Sequence, residues 1–456
     1  MSFNPSEVRP AIFHGYDVRG NYPEEVNEEV FFRLAQAIQK VLRPRKVVIG
    51  HDSRLSSPVL ARALADGFLN RGATVINAGL ITSPLASWIA RKKKMFSLMV
   101  TASHNEPGQN GLKIYSPKRG AVAAKNGLKT IENAFNKTAF EKLTPVPESV
   151  SRRDFIPEYQ QYLIKLLKRK PPNIKIAVDY SNGTAGLVLN GILDRFGAKA
   201  TTLNEAPNGA FPGHGPNPLH SEAHKQIKWL LKNEKYRLGV IFDGDGDRLA
   251  FFDEKGELVP PARILCLLAD FYLPKTRVKN VVVAASFSRV IRDVVKKHGG
   301  KVYFSAVGRT NMAPLMKKKR ALVGAENSGH YFFKDFDFQD GGILALLKVL
   351  EVLEFNKKIP LSKLVVPYQI YVTLPEKSFG LIPGTGEMVL RRVRAVFFGG
   401  KASKLDGLTV EYSDWWFNLR PSRTEPVWRL SIEGKDREIL NKNVEKIESI
   451  VKSFRV

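Results

Sequence analysis

The sequence is poor in cysteine, with Cys266 as the single one among 456 residues. One cysteine excludes an intramolecular disulfide and a zinc site built from cysteine thiolates, and it fits a reducing compartment. Long apolar runs are also lacking. Residues 1–10 contain no apolar segment of the signal-peptide kind, and Lys348 and Glu351 interrupt the run at 343–353. We therefore expect neither a signal peptide nor a membrane span, and we predict a cytoplasmic protein.

Acidic residues are few compared with basic ones. The chain has 44 Asp and Glu against 71 Lys and Arg, which gives a formal net charge of +27. Basic residues cluster at 91–94, 165–170 and 317–320, and such clusters can bind nucleic acid or an anionic surface. No nucleic-acid-binding motif accompanies them, and Lys-rich solvated helix faces would produce the same charge. Nucleic acid is therefore not an expected partner, and the excess charge would also attract anionic small molecules.

Three stretches repeat the order strand, polar loop, helix, glycine and strand. They lie at 46–76, 174–201 and 280–304, and the third carries apolar residues at helical spacing, such as Val290 and Val294. The chain is too long for one hydrophobic core. Three such units, far apart in the chain, predict repeated α/β domains and not a solenoid.

Charged and proline-bearing segments between these units predict the domain boundaries. The remaining residues alternate between strand patterns, at 366–374, 408–412 and 427–433, and end in an amphipathic helix, which indicates a smaller α+β domain. The predicted domains span residues 1–150, 151–256, 257–367 and 368–456.

The first segment with chemical character follows the apolar run 96–100 and reads TASHNEPGQNGLKIYS over 101–116. A strand that stops at a loop punctuated by Gly and Pro presents its last residues outward, here Ser103. His104 is a candidate proton-transfer group and Lys113 is a nearby cation, as an activated serine requires. By spacing alone, an ordinary polar turn explains the segment at least as well.

The second segment places three aspartates at alternate positions, Asp243, Asp245 and Asp247, with glycines between them. Glycines let the loop curl so that the carboxylates converge on one hard cation. Asp-Gly is also a hairpin signal, and strand patterns flank the segment. A hairpin rarely needs three aspartates, so the pattern favours a metal site.

The same aspartates, with Glu254, also match the spacing of a helix–loop–helix calcium site. That loop requires glycine at its sixth position, where this chain has Arg248. Its flanks would also be helices, whereas these flanks are predicted strands. We therefore reject the calcium loop.

A third segment, VGAENSGHYF at 323–332, places Glu326, Ser328 and His330 in a turn flanked by glycines. Carboxylate and hydroxyl groups suit the hydroxyls of a sugar. An ordinary exposed turn fits the bare pattern equally well.

A fourth segment, RPSRTEP at 420–426, contains Arg420, Ser422 and Thr424. A guanidinium fork with hydroxyls is a common means of holding a phosphate dianion. By composition the segment could equally be a proline-capped turn with a surface arginine.

These four segments, with GYDVRG at 15–20 and VGRT at 307–310, resemble the motifs of the α-D-phosphohexomutases, in the phosphomannomutase/phosphoglucomutase branch. The resemblance covers nearly the whole chain. It implies three related α/β domains with mixed sheets plus a smaller C-terminal α+β domain, arranged around a central cleft. The sequence departs from the family pattern at Glu106, where proline is usual, and at Arg423, where a small or amide residue is usual.

The resemblance implies an enzyme that interconverts hexose 1-phosphates and hexose 6-phosphates of mannose or glucose. Ser103 would carry the phosphoryl group, and a hexose 1,6-bisphosphate would be both intermediate and activator. Mg²⁺ would bind Asp243, Asp245, Asp247 and an oxygen of phosphorylated Ser103. Catalytic roles are predicted for Arg19, Ser103, His104, Lys113 and His330. Substrate contacts are predicted for Arg248, Arg309, Glu326, Ser328, Arg420, Ser422 and Thr424.

Other functions stay open at this stage. A glucosamine-phosphate mutase is the alternative within the same class. A catalytically silent phosphosugar-binding relative and a basic protein that binds nucleic acid or an anionic surface are the alternatives from other classes. The only expected partners of the preferred function are small hexose phosphates, and no sequence feature indicates an oligomeric state.

Overall fold

The structure, a computed structural model, describes residues 12–137, 143–146, 150–167, 174–380, 384–422 and 427–454. The chain forms two compact units. Unit 1 comprises Met1–Leu249 and Gly342–Leu346, and unit 2 comprises Ala250–Gly341 and Leu347–Val456.

The first sheet of unit 1 is mixed. Its strands are β1 (Val18–Asn21), β2 (Lys46–His51), β3 (Thr74–Leu80), β4 (Phe96–Val100), β5 (Gln109–Ser116), β6 (Gly120–Ala121) and β7 (Ser151–Arg152). They lie in the order β1-β5-β4-β2-β3-β7, and β6 pairs with β5. β2 runs parallel to β3 and β4, whereas β5 runs antiparallel to β4. The accompanying helices are α1 (Glu28–Leu42), α2 (Ser57–Leu69), α3 (Ser83–Lys92) and α4 (Leu128–Lys137).

Apolar patterning explains this packing. The central strand β2 has a continuous buried run, Val47 to Ile49, as expected where helices cover both faces of a sheet. Helix α1 begins after Asn27, whose side chain accepts a hydrogen bond from the Val30 N–H at 3.0 Å. It buries one apolar face, which includes Ile38, in the core.

The second sheet of unit 1 is built on β8 (Lys175–Asp179), which pairs in parallel with β9 (Lys199–Leu203) and with β10 (Gly239–Phe242). Its helices are α5 (Ile156–Lys165), α6 (Gly186–Phe196) and α7 (His224–Asn233). After β10, the strands β11 (Leu249–Phe252) and β12 (Leu258–Val259) pair antiparallel with each other.

Unit 2 contains a third sheet, again mixed. Its strands are β13 (Asn280–Ala284), β14 (Lys301–Ser305), β15 (Val323–Ala325), β16 (Tyr331–Phe333) and β17 (Gln339–Asp340), in the order β14-β13-β15-β16-β17. β13 is parallel to β14 and β15, and the later strands are antiparallel. The helices of this region are α8 (Pro261–Tyr272), α9 (Val290–Lys297), α10 (Arg309–Lys319), α11 (Gly342–Phe355) and α12 (Leu361–Val365).

The fourth sheet is antiparallel and lies at the C-terminal end of unit 2. Its strands are β18 (Val372–Thr373), β19 (Lys377–Gly380), β20 (Lys401–Ser403), β21 (Leu408–Glu411), β22 (Trp415–Pro421) and β23 (Val427–Gly434). They lie in the order β18-β23-β22-β21-β20, with β19 also on β23. Helices α13 (Gly386–Val396) and α14 (Arg437–Lys452) contribute Val393 and Ile447 to the same core as Phe417 and Trp428.

The predicted fold class is confirmed, with three α/β sheets and a smaller α+β region. Each predicted repeat forms a parallel strand pair joined by a helix: β2, α2 and β3, then β8, α6 and β9, then β13, α9 and β14. The predicted domain boundaries at 150, 256 and 367 stay predictions.

One strand prediction was wrong. Residues 366–374 contain a 3-10 turn at Val366–Tyr368 and only the short strand β18. Pro367 lacks a backbone N–H and cannot donate to a sheet, so the apolar alternation there does not produce a continuous strand.

Two smaller expectations can also be compared with the structure. Cys266 is buried in α8 as a free thiol. Within the described ranges, no helix is both long enough and apolar enough to cross a bilayer.

We predict that Ile38→Ala lowers the free energy of unfolding by about 2–5 kcal/mol, because truncation of a fully buried side chain leaves a cavity. Urea unfolding of the two proteins measures this difference. Ile38 lies in the core and is not one of the predicted site residues, so turnover per folded molecule should be unchanged. An unchanged unfolding midpoint would contradict the assigned core.

Candidate active site

Ser103 lies just beyond the end of β4, in the turn that leads to β5. Its φ of 56° is left-handed, a conformation that costs a non-glycine residue of order 1–2 kcal/mol. Its N–H donates to Thr101 Oγ1 at 2.8 Å, and its Oγ donates to Asp243 Oδ2, also at 2.8 Å. The strand-end pattern predicts that this side chain is exposed to solvent. In the structure it is buried, with 1% of the residue exposed. The loop after β10 packs over it.

The three aspartates of that loop form one cluster. Asp243, Asp245 and Asp247 are all buried, and each offers a carboxylate oxygen within 4.8 Å of the others. The N–H groups of Asp247 and Arg248 donate to Asp243 Oδ1 at 3.0 and 3.1 Å. Burial, together with the charges of Asp247 and Asp245, raises the pKa of Asp243 well above its ordinary value. The turn thus concentrates negative charge that the protein only partly balances.

Lys113, on β5, supplies the balancing charge. Its Nζ donates to Asp245 Oδ2 at 2.5 Å and to Asp247 Oδ2 at 2.7 Å, and it lies 3.2 Å from Ser83 Oγ. Burial and the charge of Asp247 act to raise the pKa of Asp245. The ammonium of Lys113 and the hydroxyl of Ser83 outweigh them and hold that pKa below its ordinary value.

The carboxylate cluster fits a divalent hard cation. Among the described residues, Asp245 Oδ1 is buried without a hydrogen-bond partner, which leaves one oxygen of the cluster available. Three carboxylates against the Lys113 ammonium and the more distant Arg248 guanidinium leave excess negative charge, and oxygen donors of this kind suit Mg²⁺. The hydrogen bond from Ser103 Oγ to Asp243 places the serine beside the same cluster. This donor set, beside the Ser103 hydroxyl, is therefore suited to a divalent cation such as Mg²⁺.

Arg19, on β1, holds the serine loop, which we define as residues 101–109 between β4 and the start of β5. Its Nη1 donates to Ala102 O at 3.0 Å and to Asn105 Oδ1 at 2.6 Å, and its Nε and Nη2 bind Asp17 Oδ2. Arg19 lies opposite Gly111 in the antiparallel pair of β1 and β5. A Cβ at Gly111 would come within 2.1 Å of Val18 O, so glycine is needed for this approach.

The remaining predicted residues of unit 1 are less directly placed. Arg248 Nε lies 3.9 Å from Asp243 Oδ2, so this residue borders the carboxylate cluster, and its predicted substrate contact stays a prediction. His104 is half-buried in the serine loop, and its catalytic role also stays a prediction. Glu106, the departure from the family pattern, is exposed.

Unit 2 brings together the predicted residues of segment 323–332. Ser328 Oγ lies 2.9 Å from His330 Nδ1 and 3.3 Å from Glu326 Oε2, and Glu326 Oε1 accepts the Gly308 N–H at 2.6 Å. His330 and Glu326 are buried, with 9% and 5% of each residue exposed. The predicted trio is therefore one hydrogen-bonded group of acid, hydroxyl and imidazole.

Asp340, at the end of β17, extends this group and was missed in the sequence. Its Oδ2 lies 3.3 Å from Arg309 Nη2 and 3.7 Å from His330 Nε2. The signal was present as an Asp-Gly-Gly segment after the loop, but only the register of β16 and β17 brings it back to His330.

Arg420 and Ser422, the described predicted residues of segment 420–426, lie at the end of β22. Arg420 Nε is 4.0 Å from Asp406 Oδ2, and the same carboxylate oxygen accepts the Val307 N–H at 3.3 Å. The Ser422 N–H donates to Val427 O at 2.7 Å. Thr424 and Arg423 lie outside the described residues.

Comparison with known proteins agrees with this geometry. Models of the phosphoglucomutase/phosphomannomutase family match the chain as α/β/α domain I over residues 10–142, domain II over 153–256 and domain III over 260–371. A phosphomannomutase of Methanocaldococcus jannaschii is 30% identical over 453 residues, covering 96% of this chain and 97% of the relative. A phosphoglucomutase of Neisseria gonorrhoeae is 29% identical, covering 97% of each chain.

Solved structures show the same fold. A phosphoglucomutase/phosphomannomutase family protein of Burkholderia thailandensis superposes with a TM-score of 0.86 at 26% identity, covering 97% of both chains. The phosphoglucomutase parafusin of Paramecium has a TM-score of 0.79 at 18% identity, covering 96% of this chain and 94% of its own. From its motifs, its fold and these matches along nearly its whole length, the chain belongs to the phosphoglucomutase/phosphomannomutase family of the α-D-phosphohexomutases.

Proposed function

We propose that the protein is a phosphohexomutase that interconverts hexose 1-phosphates and hexose 6-phosphates of mannose and glucose. The observation that carries the proposal is the hydrogen bond from Ser103 Oγ to Asp243 inside a cluster of three buried carboxylates. A serine in this place can accept and return a phosphoryl group beside a cation site. Relatives at 29–30% identity are named phosphomannomutase and phosphoglucomutase, which supports the substrate class.

In each half of the reaction one P–O bond breaks and one forms, one of them at Ser103 Oγ and the other at an oxygen of the sugar. The phosphoryl group passes from Ser103 Oγ to a sugar hydroxyl, which gives a hexose 1,6-bisphosphate. In the second half, the other phosphoryl group of that bisphosphate passes to the serine. A trace of free bisphosphate therefore acts as an activator, because it restores the phosphoserine whenever the intermediate is lost.

The residues of unit 1 hold the charge of the transferring group. Asp243, Asp245 and Asp247 would hold Mg²⁺, which supplies positive charge to the phosphoryl oxygens when it is bound. Lys113 keeps two of these carboxylates in place through its ammonium. Arg19 fixes the serine loop through Ala102 and Asn105.

The residues of unit 2 supply contacts for the sugar and its phosphate. Glu326 and Ser328 are the proposed partners of the sugar hydroxyls, and Arg420 and Ser422 those of the phosphate. We favour His330 over Lys113 as the base for the attacking hydroxyl, because Lys113 is committed to two carboxylates while His330 lies among hydroxyl and carboxylate partners.

The comparisons bear on a mutase for an amino-sugar phosphate through the fold alone. N-acetylglucosamine-phosphate mutases share the fold at 14–15% identity and TM-scores of 0.57–0.61, which shows the architecture alone. One of them was solved with GlcNAc-6P and magnesium. Small hexose phosphates are the proposed partners of this chain, and its cytoplasmic location stays a prediction.

We predict that Ser103→Ala lowers mutase turnover by roughly 10⁴-fold or more, because the phosphoryl carrier is removed. The assay uses mannose 1-phosphate, glucose 1-phosphate and glucosamine 1-phosphate with Mg²⁺ and a trace of glucose 1,6-bisphosphate. Intact mass spectrometry should find one added phosphoryl group on the wild type and none on the variant. Ser97→Ala, which removes a buried hydroxyl from β4, is the matched control and should keep full activity.

The result for each substrate is informative. Turnover of glucosamine 1-phosphate in preference to the other two sugars would contradict the proposed substrate class. Phosphorylation of Ser103 without turnover of any of the three substrates would also mean that the proposed substrate class is wrong. Binding of a hexose phosphate without phosphorylation of Ser103 would instead support a silent relative.

We predict opposite effects of Asp243→Asn in the absence and presence of Mg²⁺. The raised pKa of Asp243 means that its ionised carboxylate destabilises the folded state at neutral pH, so an uncharged amide removes that cost. In EDTA the variant should therefore be at least as resistant to urea as the wild type.

Added Mg²⁺ should stabilise the wild type, because it binds the folded state, and should have little effect on Asp243→Asn. Asp253→Asn, in the turn between β11 and β12, is the control and should keep the response to Mg²⁺. Equal stabilisation of Asp243→Asn and wild type would place the cation elsewhere.

A further inference from the structure

Arg54 is a buried arginine that the proposed mechanism does not use. It follows the end of β2, and only 1% of the residue is exposed. All five of its N–H donors are engaged. Nη1 donates to Glu106 O at 2.6 Å and to Gln109 O at 2.8 Å, whereas Nη2 donates to Ser103 O at 2.9 Å and to Asn105 O at 2.6 Å. One guanidinium therefore holds four carbonyl oxygens of the serine loop.

The fifth donor fixes the guanidinium itself. Arg54 Nε donates to Asp52 Oδ2 at 3.1 Å, and the same oxygen accepts the Thr101 hydroxyl at 2.6 Å. Asp52 Oδ1 accepts the Ser57 hydroxyl at 2.6 Å and the Arg54 N–H at 3.1 Å. Asp52 thus joins Arg54 and Thr101 into one assembly at the ends of the neighbouring parallel strands β2 and β4.

This assembly holds Ser103 at both of its peptide groups. Thr101 Oγ1 accepts the Ser103 N–H, and Arg54 Nη2 donates to the Ser103 carbonyl oxygen. Between these two bonds Ser103 has a left-handed backbone conformation, which residues other than glycine rarely adopt. An unfavourable conformation persists only where the surroundings fix it. Here Asp52 accepts hydrogen bonds from both Arg54 and Thr101, the two residues that hold Ser103.

A loop of the second sheet covers the remaining face of the guanidinium. The ring of Phe211 is buried, and its centroid lies 5.3 Å from Arg54 Cζ. An aromatic face at this distance attracts the cation and excludes water from its hydrogen bonds. Arg54 is therefore fixed by residues from both sheets of unit 1.

We infer that Arg54 is a positioning residue for phosphoryl transfer, because its guanidinium holds the left-handed Ser103 with its Oγ against the carboxylate cluster. The inference rests on the proposed role of Ser103 as phosphoryl carrier. Arg54 acts through the serine backbone and contacts no reacting atom. Lysine keeps the charge but offers three donors on one nitrogen, so it cannot reproduce the planar fork.

The first test compares Arg54→Lys with the wild type. We expect kcat to fall by about 100-fold or more, since a displacement of a reacting group of about 1 Å has that effect. KM for the hexose phosphate should change by less than about threefold, because Arg54 binds the serine loop and is not one of the proposed contacts to the sugar or its phosphate. Ile38→Ala, a destabilised variant in helix α1 of the same unit, controls for loss of folded protein. A kcat for Arg54→Lys within threefold of the wild type, or no lower per folded molecule than that of Ile38→Ala, would overturn the inference.

Thr101→Val keeps the test decisive should Arg54→Lys fold poorly. It preserves the shape of the side chain but removes the oxygen that accepts the Ser103 N–H. We expect a loss in kcat of the same kind, with KM again preserved. If the two residues act as one device, the double variant loses little more than the more severe single variant. If the kcat losses of the two single variants multiply in the double variant, Arg54 and Thr101 act separately, and the inference that they position Ser103 together is overturned.

A separate measurement distinguishes failure of this inference from failure of the proposed function. Hydrogen–deuterium exchange of the amides at 101–111 reads the loop directly and needs no activity. We expect faster exchange in Arg54→Lys than in Ile38→Ala at equal stability. If the wild type is inactive but its loop is protected in this way, the mutase function is rejected and the positioning role of Arg54 is retained. If the wild type is active but the loop exchanges equally fast in Arg54→Lys and Ile38→Ala, only the positioning role is rejected.

Discussion

Mutual repulsion among three buried carboxylates is the constraint on which the rest of unit 1 depends. A turn that buries Asp243, Asp245 and Asp247 within a few ångströms of one another is unfavourable by itself. The protein offsets part of that cost with Lys113 and with backbone N–H groups. Burial, together with the charges of Asp247 and Asp245, raises the pKa of Asp243, and the cluster is a donor set suited to a divalent cation. Stability is thus lowered where phosphoryl chemistry needs negative oxygen ligands.

The fold makes this arrangement possible by bringing strand ends together. β2, β4 and β10 all end at the segments that carry Arg54, Ser103 and Asp243, respectively. Loops at the carboxyl ends of parallel strands are the usual place for such groups in α/β sheets. The rigid strands position the loops, and hydrogen bonds between loops of the two sheets complete the cluster.

Sequence patterns predicted the parts of the site that lie within one loop. The alternation of Asp and Gly indicated a cation site without any knowledge of the fold, because the spacing itself makes the carboxylates converge. The bond between Ser103 and Asp243 joins residues 140 positions apart, and no local pattern predicts it. The burial of Ser103 was missed for the same reason, since the covering loop comes from another sheet.

Arg54 and Asp340 show a second limit. Each is an ordinary charged residue in its own segment, and its significance comes from the carbonyl oxygens or the imidazole that the tertiary fold brings to it. The segment 366–374 shows the opposite error, because apolar alternation there suggested a strand that Pro367 does not allow. Periodicity describes faces, whereas hydrogen-bonding capacity decides whether a backbone can join a sheet.

In unit 2, two adjacent peptide groups connect the segment that carries Glu326 to the segment that carries Arg420. The Val307 N–H donates to Asp406, which borders Arg420, and the next N–H, that of Gly308, donates to Glu326. Gly308 has a φ of 98°, which a side chain would rarely adopt. Residues 307 and 308 therefore connect these two segments to one stretch of backbone. If Glu326 contacts the sugar and Arg420 its phosphate, as proposed, a substitution that moves Glu326 would also shift the backbone that holds Asp406 beside Arg420, so the two contacts would have to change in concert.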